Sequence, residues 1–235
     1  MLIDAGQVFR CLVVAATNRN VDLDDAAAID AFLSDDESAE ACVQFVKAVY
    51  HMEKIDRDAL LYTNDVSVNS AKIGARPLSQ AFKDSLLKKW LRDARTEGFG
   101  VVLLDGRALE ETGTMLEREG LCDFKIGLYF VCDPVVGAMR TLGFAAKRYD
   151  GLTSDERSQV DLLVAQINAR NAADRDRDVQ PIVAPTDAQT ITLPNDADVS
   201  DDAERFMAIV DTSASMSKQD MSRPIIDLIA RRLDY

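Results

Sequence analysis

The stretch VVLLDGR, residues Val101–Arg107, is an apolar run that ends directly in charged residues. A second continuous apolar run extends from Ile126 to Cys132. Continuous apolar runs are typical of parallel strands buried on both faces, so we predict such strands over Phe99–Leu104 and Ile126–Cys132. Ligand-binding side chains in open α/β sheets lie beyond the carboxyl ends of the strands. Asp105 and Arg107 hold this place after the first run, and we expect them to bind a ligand.

The apolar spacing elsewhere predicts several helices. Residues 6–17 predict a buried helix, and residues 24–33 predict a second one capped by Asp22 or Asp24. Residues 78–95 have helical periodicity and predict a long amphipathic helix. The predicted elements are therefore those of an α/β protein.

Two other stretches complete this secondary-structure prediction. From about Cys42 to Asp65 the pattern is ambiguous, and we interpret it as short strands that close a hairpin-like insert. A further helix is expected after Asp133-Pro134 and through Arg140.

Composition and net charge limit the classes of function that we expect for this sequence. The 235 residues are 47% hydrophobic, enough for one core, and we expect a soluble cytoplasmic protein that does not bind a membrane. The net charge of −13 argues against general nucleic-acid binding, whereas a free nucleotide needs only a few converging arginines. Four scattered cysteines and the single His51 predict no metal site built by the protein.

Charged residues are densest in the run from Ile167 to Ile182, which contains Arg170, Asp174 and Arg177. The guanidinium group of an arginine can donate two parallel hydrogen bonds to a phosphate. The run therefore favours anion or nucleotide recognition. The alternative is an exposed helix end with ion pairs four residues apart. Spacing alone leaves both interpretations open.

Two more stretches accompany these: LIDAGQVFR at residues 2–10 and IVDTSASMS at residues 209–217. With VVLLDGR and the Arg170–Arg177 spacing, they occur in the same order as four motifs of the bacterial (d)CMP kinase family, which this chain resembles. The family's motifs are L-D-S/T-G-x-x-Y-R, an apolar strand followed by D-G-R-D, the monophosphate-binding segment, and I-D-T-S-x-L-S. Each motif is weak alone, but four in order across nearly the whole chain are fairly specific.

The resemblance implies a P-loop-kinase-like fold, a three-layer arrangement around a parallel sheet. Residues 1–235 would form a single domain with an insert that binds the monophosphate at about 40–77. A lid and the monophosphate-binding segment would follow at about 140–178, and an acidic surface insert at about 187–205. The Walker A sequence G-x-x-x-x-G-K-S/T is found nowhere in the 235 residues, so the first strand and the P-loop are expected to be absent from this chain.

The resemblance also implies the activity ATP + (d)CMP to ADP + (d)CDP, with Mg²⁺, in pyrimidine nucleotide metabolism. Asp105 would position the acceptor or the metal shell, Asp174 would orient the sugar, and Arg140 would belong to the lid. Asp4 would belong to the substrate site. The acceptor phosphate would be held by the arginines of the four motifs and their neighbours, Arg10, Arg107, Arg170 and Arg177.

Three explanations for the missing P-loop are open: an upstream start, a separate chain that supplies the loop, or a relative that has given up phosphoryl transfer. We expect the first, because a deleted central strand would leave apolar edges that proteins avoid exposing. Apart from such a chain, a monomer is expected.

Changes within the motifs favour another hypothesis, a catalytically inactive nucleotide-binding or interaction protein. Ala5, Ala71 and Ala108 replace polar residues that in the family mostly recognise cytosine and the sugar. Weaker base discrimination is therefore expected. A structural protein without a ligand is the third and weakest hypothesis.

Overall fold

The computed structural model describes residues 1–176, 178–193 and 205–233. The chain divides into two compact units. Unit 1 is Met1–Cys122 with the described residues of Arg177–Ile182, and unit 2 is Asp123–Asp176 with the described residues of Val183–Tyr235. The assignment of an insert and a lid within a single domain stays a prediction.

Unit 1 contains a pair of parallel strands. Strand β1 spans Leu2–Asp4 and strand β2 spans Leu103–Asp105. Their register places Leu2 beside Leu103 and Asp4 beside Asp105. The last residue of each strand is thus an aspartate, and the two aspartates are neighbours at the carboxyl end of the pair.

Seven helices are described in unit 1: α1 Ala5–Asn18, α2 Ala26–Ser34, α3 Asp36–Tyr50, α4 Lys54–Leu61, α5 Asn64–Gly74, α6 Pro77–Thr96 and α7 Leu109–Arg118. Polar residues begin four of them: the side chains of Asp4, Asp25, Asp35 and Thr63 accept hydrogen bonds from backbone N–H groups of α1, α2, α3 and α5. The helices predicted over 6–17, 24–33 and 78–95 are confirmed. The cap of α2 is Asp25, not Asp22 or Asp24.

The hairpin predicted between Cys42 and Asp65 is wrong. These residues belong to helices α3 and α4 and to the start of α5. Cys42, Val46 and Val49 are buried on one face of α3, at the spacing of four and three residues that a helix repeats. The alternation of Val43 and Phe45 that suggested a strand is part of this helical pattern.

The core of unit 1 is built around α1. Leu12, Val13 and Ala16 pack with buried residues of α2, α3 and α5, whereas Val8 and Cys11 pack with α3, α4 and α6. A third cluster joins β1, the start of α1, α6 and α7. It consists of Ile3, Ala5, Leu87, Leu91 and Leu116. Trp90 packs at the edge of two of these clusters, with its ring 4.9 Å from that of Tyr50.

Unit 2 contains a three-stranded parallel sheet in the order β3-β5-β4. Its strands are β3 Ile126–Val131, β4 Gln189–Thr192 and β5 Phe206–Asp211. Its helices are α8 Pro134–Thr141, α9 Ser154–Asp176 and α10 Lys218–Arg232, with a short 3-10 turn at Tyr149–Gly151. The helix predicted after Asp133-Pro134 is therefore confirmed. The sheet packs on α10, and α8 packs on α9.

The prediction that both strands are buried on both faces needs correction. Leu103 in β2 and Phe130 in β3 are 48% and 55% exposed, so these strands are not buried on both faces. Within the described ranges β2 pairs only with β1 and β3 only with β5, which leaves one edge of each strand unpaired. Strand β4 lies within the region 187–205, and residues 194–204 are outside the described ranges, so the acidic surface insert stays a prediction.

No helix in the described part of the chain is both long and apolar enough to cross a lipid bilayer.

The burial of Leu87 generates a stability prediction. Leu87 on α6 is fully buried against β1 and α7, so Leu87→Ala should lower the free energy of unfolding by about 2–5 kcal/mol. Urea unfolding followed by circular dichroism measures this loss. Ile55→Ala is the control, because Ile55 on α4 is 79% exposed; its effect should stay within about 0.5 kcal/mol. Equal losses in both variants would contradict this assignment of the core.

Candidate functional site

Asp4 connects β1, α1 and two tyrosines. Its Oδ1 accepts the backbone N–H of Gln7 at 2.9 Å and so caps α1. Its backbone oxygen accepts the Tyr50 hydroxyl at 2.8 Å, and its Oδ2 accepts the Tyr62 hydroxyl at 3.2 Å. The carboxylate is therefore fixed in orientation beside Asp105 of the neighbouring strand.

Arg10 lies on α1 close to the same tyrosines. Its Nη1 donates to the backbone oxygen of Leu61 at 3.0 Å and to Ser67 Oγ at 2.9 Å. The guanidinium carbon is 4.5 Å from the centre of the Tyr62 ring. All three partners are neutral, so these contacts fix the guanidinium and leave its charge uncompensated.

Tyr62 thus connects Arg10 to Asp4. Burial is the main cause that raises the pKa of its phenol, and the charge of Asp4 raises it further. The hydroxyl consequently stays protonated and donates to Asp4 near neutral pH. These contacts join Asp4, Arg10 and Tyr62 into a group that we call the Asp4 cluster.

Asp105 and Arg107 continue this end of unit 1. Both residues are exposed at their surface. Partial burial of the carboxyl group and the charge of Asp4 raise the pKa of Asp105, and a hydrogen bond from the backbone N–H of Gly106 opposes the rise. Two neighbouring carboxylates destabilise each other's charge, so a cation or a hydroxyl group placed here would be stabilised.

Unit 2 has a second polar group, at the carboxyl ends of β3 and β5. Asp211 Oδ1 accepts from both the backbone N–H and the hydroxyl of Ser213, and these bonds hold the pKa of Asp211 below its usual value. Ser213 Oγ in turn accepts the backbone N–H of Asp133 at 2.8 Å, and Asp133 caps α8. The turn after β5 is thereby bound to the start of α8.

Arg140, at the last turn of α8, is bound to the same turn. Its Nη2 donates to the backbone oxygen of Ala214 at 2.8 Å, and its Nη1 lies 3.5 Å from Cys132 Sγ. The resemblance assigned Arg140 to a mobile lid. In unit 2 its guanidinium holds the turn that follows β5.

Arg170 and Asp174 lie one turn apart near the end of α9. Arg170 Nε is 4.0 Å from Asp174 Oδ2, and Asp174 is only 6% exposed. This is the ion pair that the alternative interpretation of the run predicts, although a buried carboxylate is unusual for a solvated helix end. Arg177 lies outside the described residues.

The structure therefore groups the predicted site residues within each unit. Asp4, Arg10 and Asp105 lie together in unit 1, with Arg107 directly after them; Arg170 and Asp174 lie together in unit 2. Their roles stay predictions. Sequence reasoning missed Tyr50, Tyr62 and Ser67, which hold this group in place. The helical spacing of Cys42, Val46 and Val49 was the signal that would have placed Tyr50 on a helix.

The described residues contain no group of three or more histidine, cysteine or acidic side chains arranged to hold a metal ion. Asp4 and Asp105 are two adjacent carboxylates. Mg²⁺ in phosphoryl-transfer sites is commonly held by one or two carboxylates together with water and substrate phosphates. The pair fits a magnesium ion that arrives with a nucleotide, rather than one held by the protein alone.

Parallel strands with interspersed helices and charged residues at the strand ends define a mixed α/β protein that fits the P-loop-kinase-like class. Residues 1–210 match the family described as cytidylate kinase. The chain belongs to the cytidylate kinase family. Membership supports a nucleoside monophosphate kinase-like enzyme, with CMP or dCMP as the substrate of the family and ATP as the general donor. No individual curated protein matches the chain.

The pKa of Asp105 generates a pH prediction. Because this pKa is raised above 3.8 in the folded chain, the associated stability is present at lower pH and is lost as the pH rises through the raised pKa. Asp105→Asn removes the charge and keeps an acceptor for the Gly106 N–H. The variant should therefore be slightly more stable than the parent at pH 7 and equal to it at about pH 3. The effect is small because water screens an exposed group.

Asp211→Asn is the comparison of opposite sign. The bonds from Ser213 lower the pKa of Asp211, so its contribution is present above the ordinary carboxyl pKa and is lost as the pH falls. This variant should be less stable than the parent at pH 7. Urea midpoints measured from pH 3 to pH 7 test both; stability changes of the same sign would contradict the assigned causes.

Proposed function

We propose that this chain binds CMP or dCMP as the acceptor of a (d)CMP kinase-like transfer, ATP + (d)CMP to ADP + (d)CDP. The observation that carries the proposal is the state of Arg10. Its guanidinium is fixed by a carbonyl, a hydroxyl and an aromatic ring, none of which neutralises it. A fixed and uncompensated guanidinium is a suitable ligand for a phosphate group.

Arg76 shows the contrast. Arg76 forms a two-pronged ion pair with Asp30, with Nε 3.0 Å from Oδ1. Such a pair satisfies the charge of the arginine within the protein. The contacts of Arg10 are with a carbonyl, a hydroxyl and an aromatic ring, so in a chain of net charge −13 its charge is not neutralised by a carboxylate in the way that Arg76 is.

We assign the remaining roles, except that of Asp4, from the resemblance alone. Arg10, Arg107, Arg170 and Arg177 hold the acceptor phosphate and neutralise the charge that develops during transfer. Asp4 orients Tyr62 beside Arg10, and Asp174 binds the sugar. Asp105 helps to position the acceptor or the water shell of the metal, and Arg140 belongs to the lid, whose arginines contact the donor phosphates. Positioning and charge neutralisation are the main contributions a protein makes to phosphoryl transfer.

ATP and Mg²⁺ are the donor and the metal of this proposal. When bound, Mg²⁺ would supply positive charge that neutralises the phosphate oxygens. Asp105 and its neighbour Asp4 are the residues that would hold its water shell. Pyrimidine nucleotide metabolism in the cytoplasm is the proposed setting.

No residues that would hold the phosphates of the donor ATP by a Walker A motif are found in this sequence. A glycine-rich loop with a lysine normally holds the donor phosphates, and no such motif occurs in the 235 residues. We therefore propose that these residues alone bind the acceptor better than ATP. A segment outside them, or a separate chain, would supply the donor loop.

One observation favours the second candidate, a nucleotide-binding protein without catalysis. Ala108 precedes α7 with a φ of +52°, in the left-handed region, and caps the helix with no side-chain hydrogen bond. An alanine is strained there, whereas aspartate and asparagine tolerate this conformation. The position therefore retains the backbone suited to the aspartate of the family's D-G-R-D motif and lacks its side chain.

Calorimetry with CMP and with cytidine tests the acceptor proposal. The two ligands differ only by the phosphate, so Arg10→Met should weaken CMP binding by about tenfold or more and leave cytidine binding nearly unchanged. Arg170→Ala should behave in the same way. Arg92→Ala, on the exposed face of α6, is the control and should change neither affinity. Equal losses for CMP and cytidine in Arg10→Met would point to a folding defect and contradict the assigned role.

Turnover separates the two candidates. This chain should convert CMP at rates far below the roughly 1–100 s⁻¹ of kinases, because ATP binding is weak. ATP titrations and a coupled ADP assay measure both quantities. Turnover at ordinary kinase rates would show that the chain carries a donor site of another kind.

A further inference from the structure

Lys83 on α6 is almost completely buried, with 1% of its surface exposed. Its Nζ forms an ion pair with Asp84 Oδ1 at 2.9 Å and donates to Thr112 Oγ1 at 3.0 Å and to Gln180 Oε1 at 3.3 Å. Thr112 and Gln180 accept two of the three N–H groups of the ammonium, whereas the contact with Asp84 is an ion pair and not a hydrogen bond. The proposed transfer makes no use of this residue.

Its position on α6 makes the burial unexpected. Lysines elsewhere on this helix, Lys88 and Lys89, pair with Glu119 and Asp93 near the surface. Lys83 instead lies on the face that buries Ser79, Leu86 and Leu87, at helical spacings of four, three and four residues. Burial of a charge is costly unless polar partners compensate, so the contacts of Lys83 must be retained for the fold to tolerate it.

Gln180 is the distant partner in this group. It lies 97 residues further along the chain, in the stretch 178–182, which contains neither helix nor strand. Its φ is +46°, a left-handed conformation that is unfavourable for a residue with a side chain. Such a conformation persists only where surrounding contacts hold it. The bond from Lys83 is one of these contacts.

We propose that Lys83 is a positioning residue that holds Gln180 and thereby orders residues 178–182, next in the chain to the Arg170–Arg177 run. The inference rests on the proposed function, because this run is the proposed phosphate-binding segment. A segment that is ordered before binding loses less conformational entropy when the ligand arrives. Lys83 then strengthens CMP binding without contacting CMP.

Hydrogen exchange combined with CMP calorimetry tests the proposal. Lys83→Met keeps most of the side-chain volume and removes the ammonium. Amide exchange over residues 178–182 should become at least about tenfold faster, while exchange in the middle of α1 stays unchanged, and CMP affinity should fall about five- to tenfold. Lys89→Met is the matched control on the same helix and should change none of these quantities. Unchanged exchange over 178–182 in a folded Lys83→Met chain would overturn the proposal.

A double-mutant cycle separates positioning from a general loss of stability. Gln180→Leu leaves Lys83 its contacts with Asp84 and Thr112, so it also serves if Lys83→Met does not fold. If Lys83 acts through Gln180, the double variant should exchange over 178–182 and bind CMP no differently from Lys83→Met alone. Additive effects of the two substitutions would contradict the proposal.

The hydrogen-exchange measurement also distinguishes the proposed CMP binding from the proposed positioning role of Lys83. If the unchanged chain fails to bind CMP while Lys83→Met accelerates exchange over 178–182, the proposed function fails and the positioning contact stands. If the chain binds CMP and Lys83→Met has neither effect, the function stands and the positioning contact fails.

Discussion

The pairing of β1 with β2 is the contact on which unit 1 depends. It places Asp4 beside Asp105 at the end of the two strands. Asp4 is also the cap of α1, the helix that packs against most other helices of the unit. The same residue therefore ends a strand, begins the central helix and contributes a carboxylate to the candidate site. A change in the register of β1 would move the helix and the site together.

The helices could be predicted well wherever apolar periodicity was long and uninterrupted, as in α1 and α6. The hairpin in place of α3 and α4 was a wrong interpretation, because Val43, Phe45 and Val49 alternate as in a strand while Cys42, Val46 and Val49 repeat as in a helix. The capping bond from the Ser38 backbone N–H to the Asp35 carboxylate favours the helix. The strands β2 and β3 were located correctly but are more exposed than their continuous apolar composition indicated, since burial depends on neighbouring strands that a local pattern does not contain.

The residues of the candidate site could also be predicted from the sequence only in part. Motifs could indicate Asp4, Arg10 and Asp105, because their order along the chain resembles that of a known family. They could not indicate that Tyr62 lies between Arg10 and Asp4, since this contact depends on how α4 packs against α1. Lys83 was also missed. A lysine within an amphipathic helix is normally assigned to the solvated face, and only its tertiary partners reveal that it is buried.

The two arginine–carboxylate arrangements of this chain have different electrostatic consequences. Arg170 and Asp174 are partners in an ion pair, so a phosphate approaching Arg170 competes with a carboxylate already present. Arg10 is separated from Asp4 by the neutral hydroxyl and ring of Tyr62, so its charge remains available to an anion. In an acidic protein that binds a nucleotide, carboxylates compete with the phosphate of the ligand for the arginine side chains. Placing an aromatic residue between the two charges keeps the Arg10 guanidinium oriented while limiting its neutralisation, so Arg10 is better suited than Arg170 to bind a phosphate.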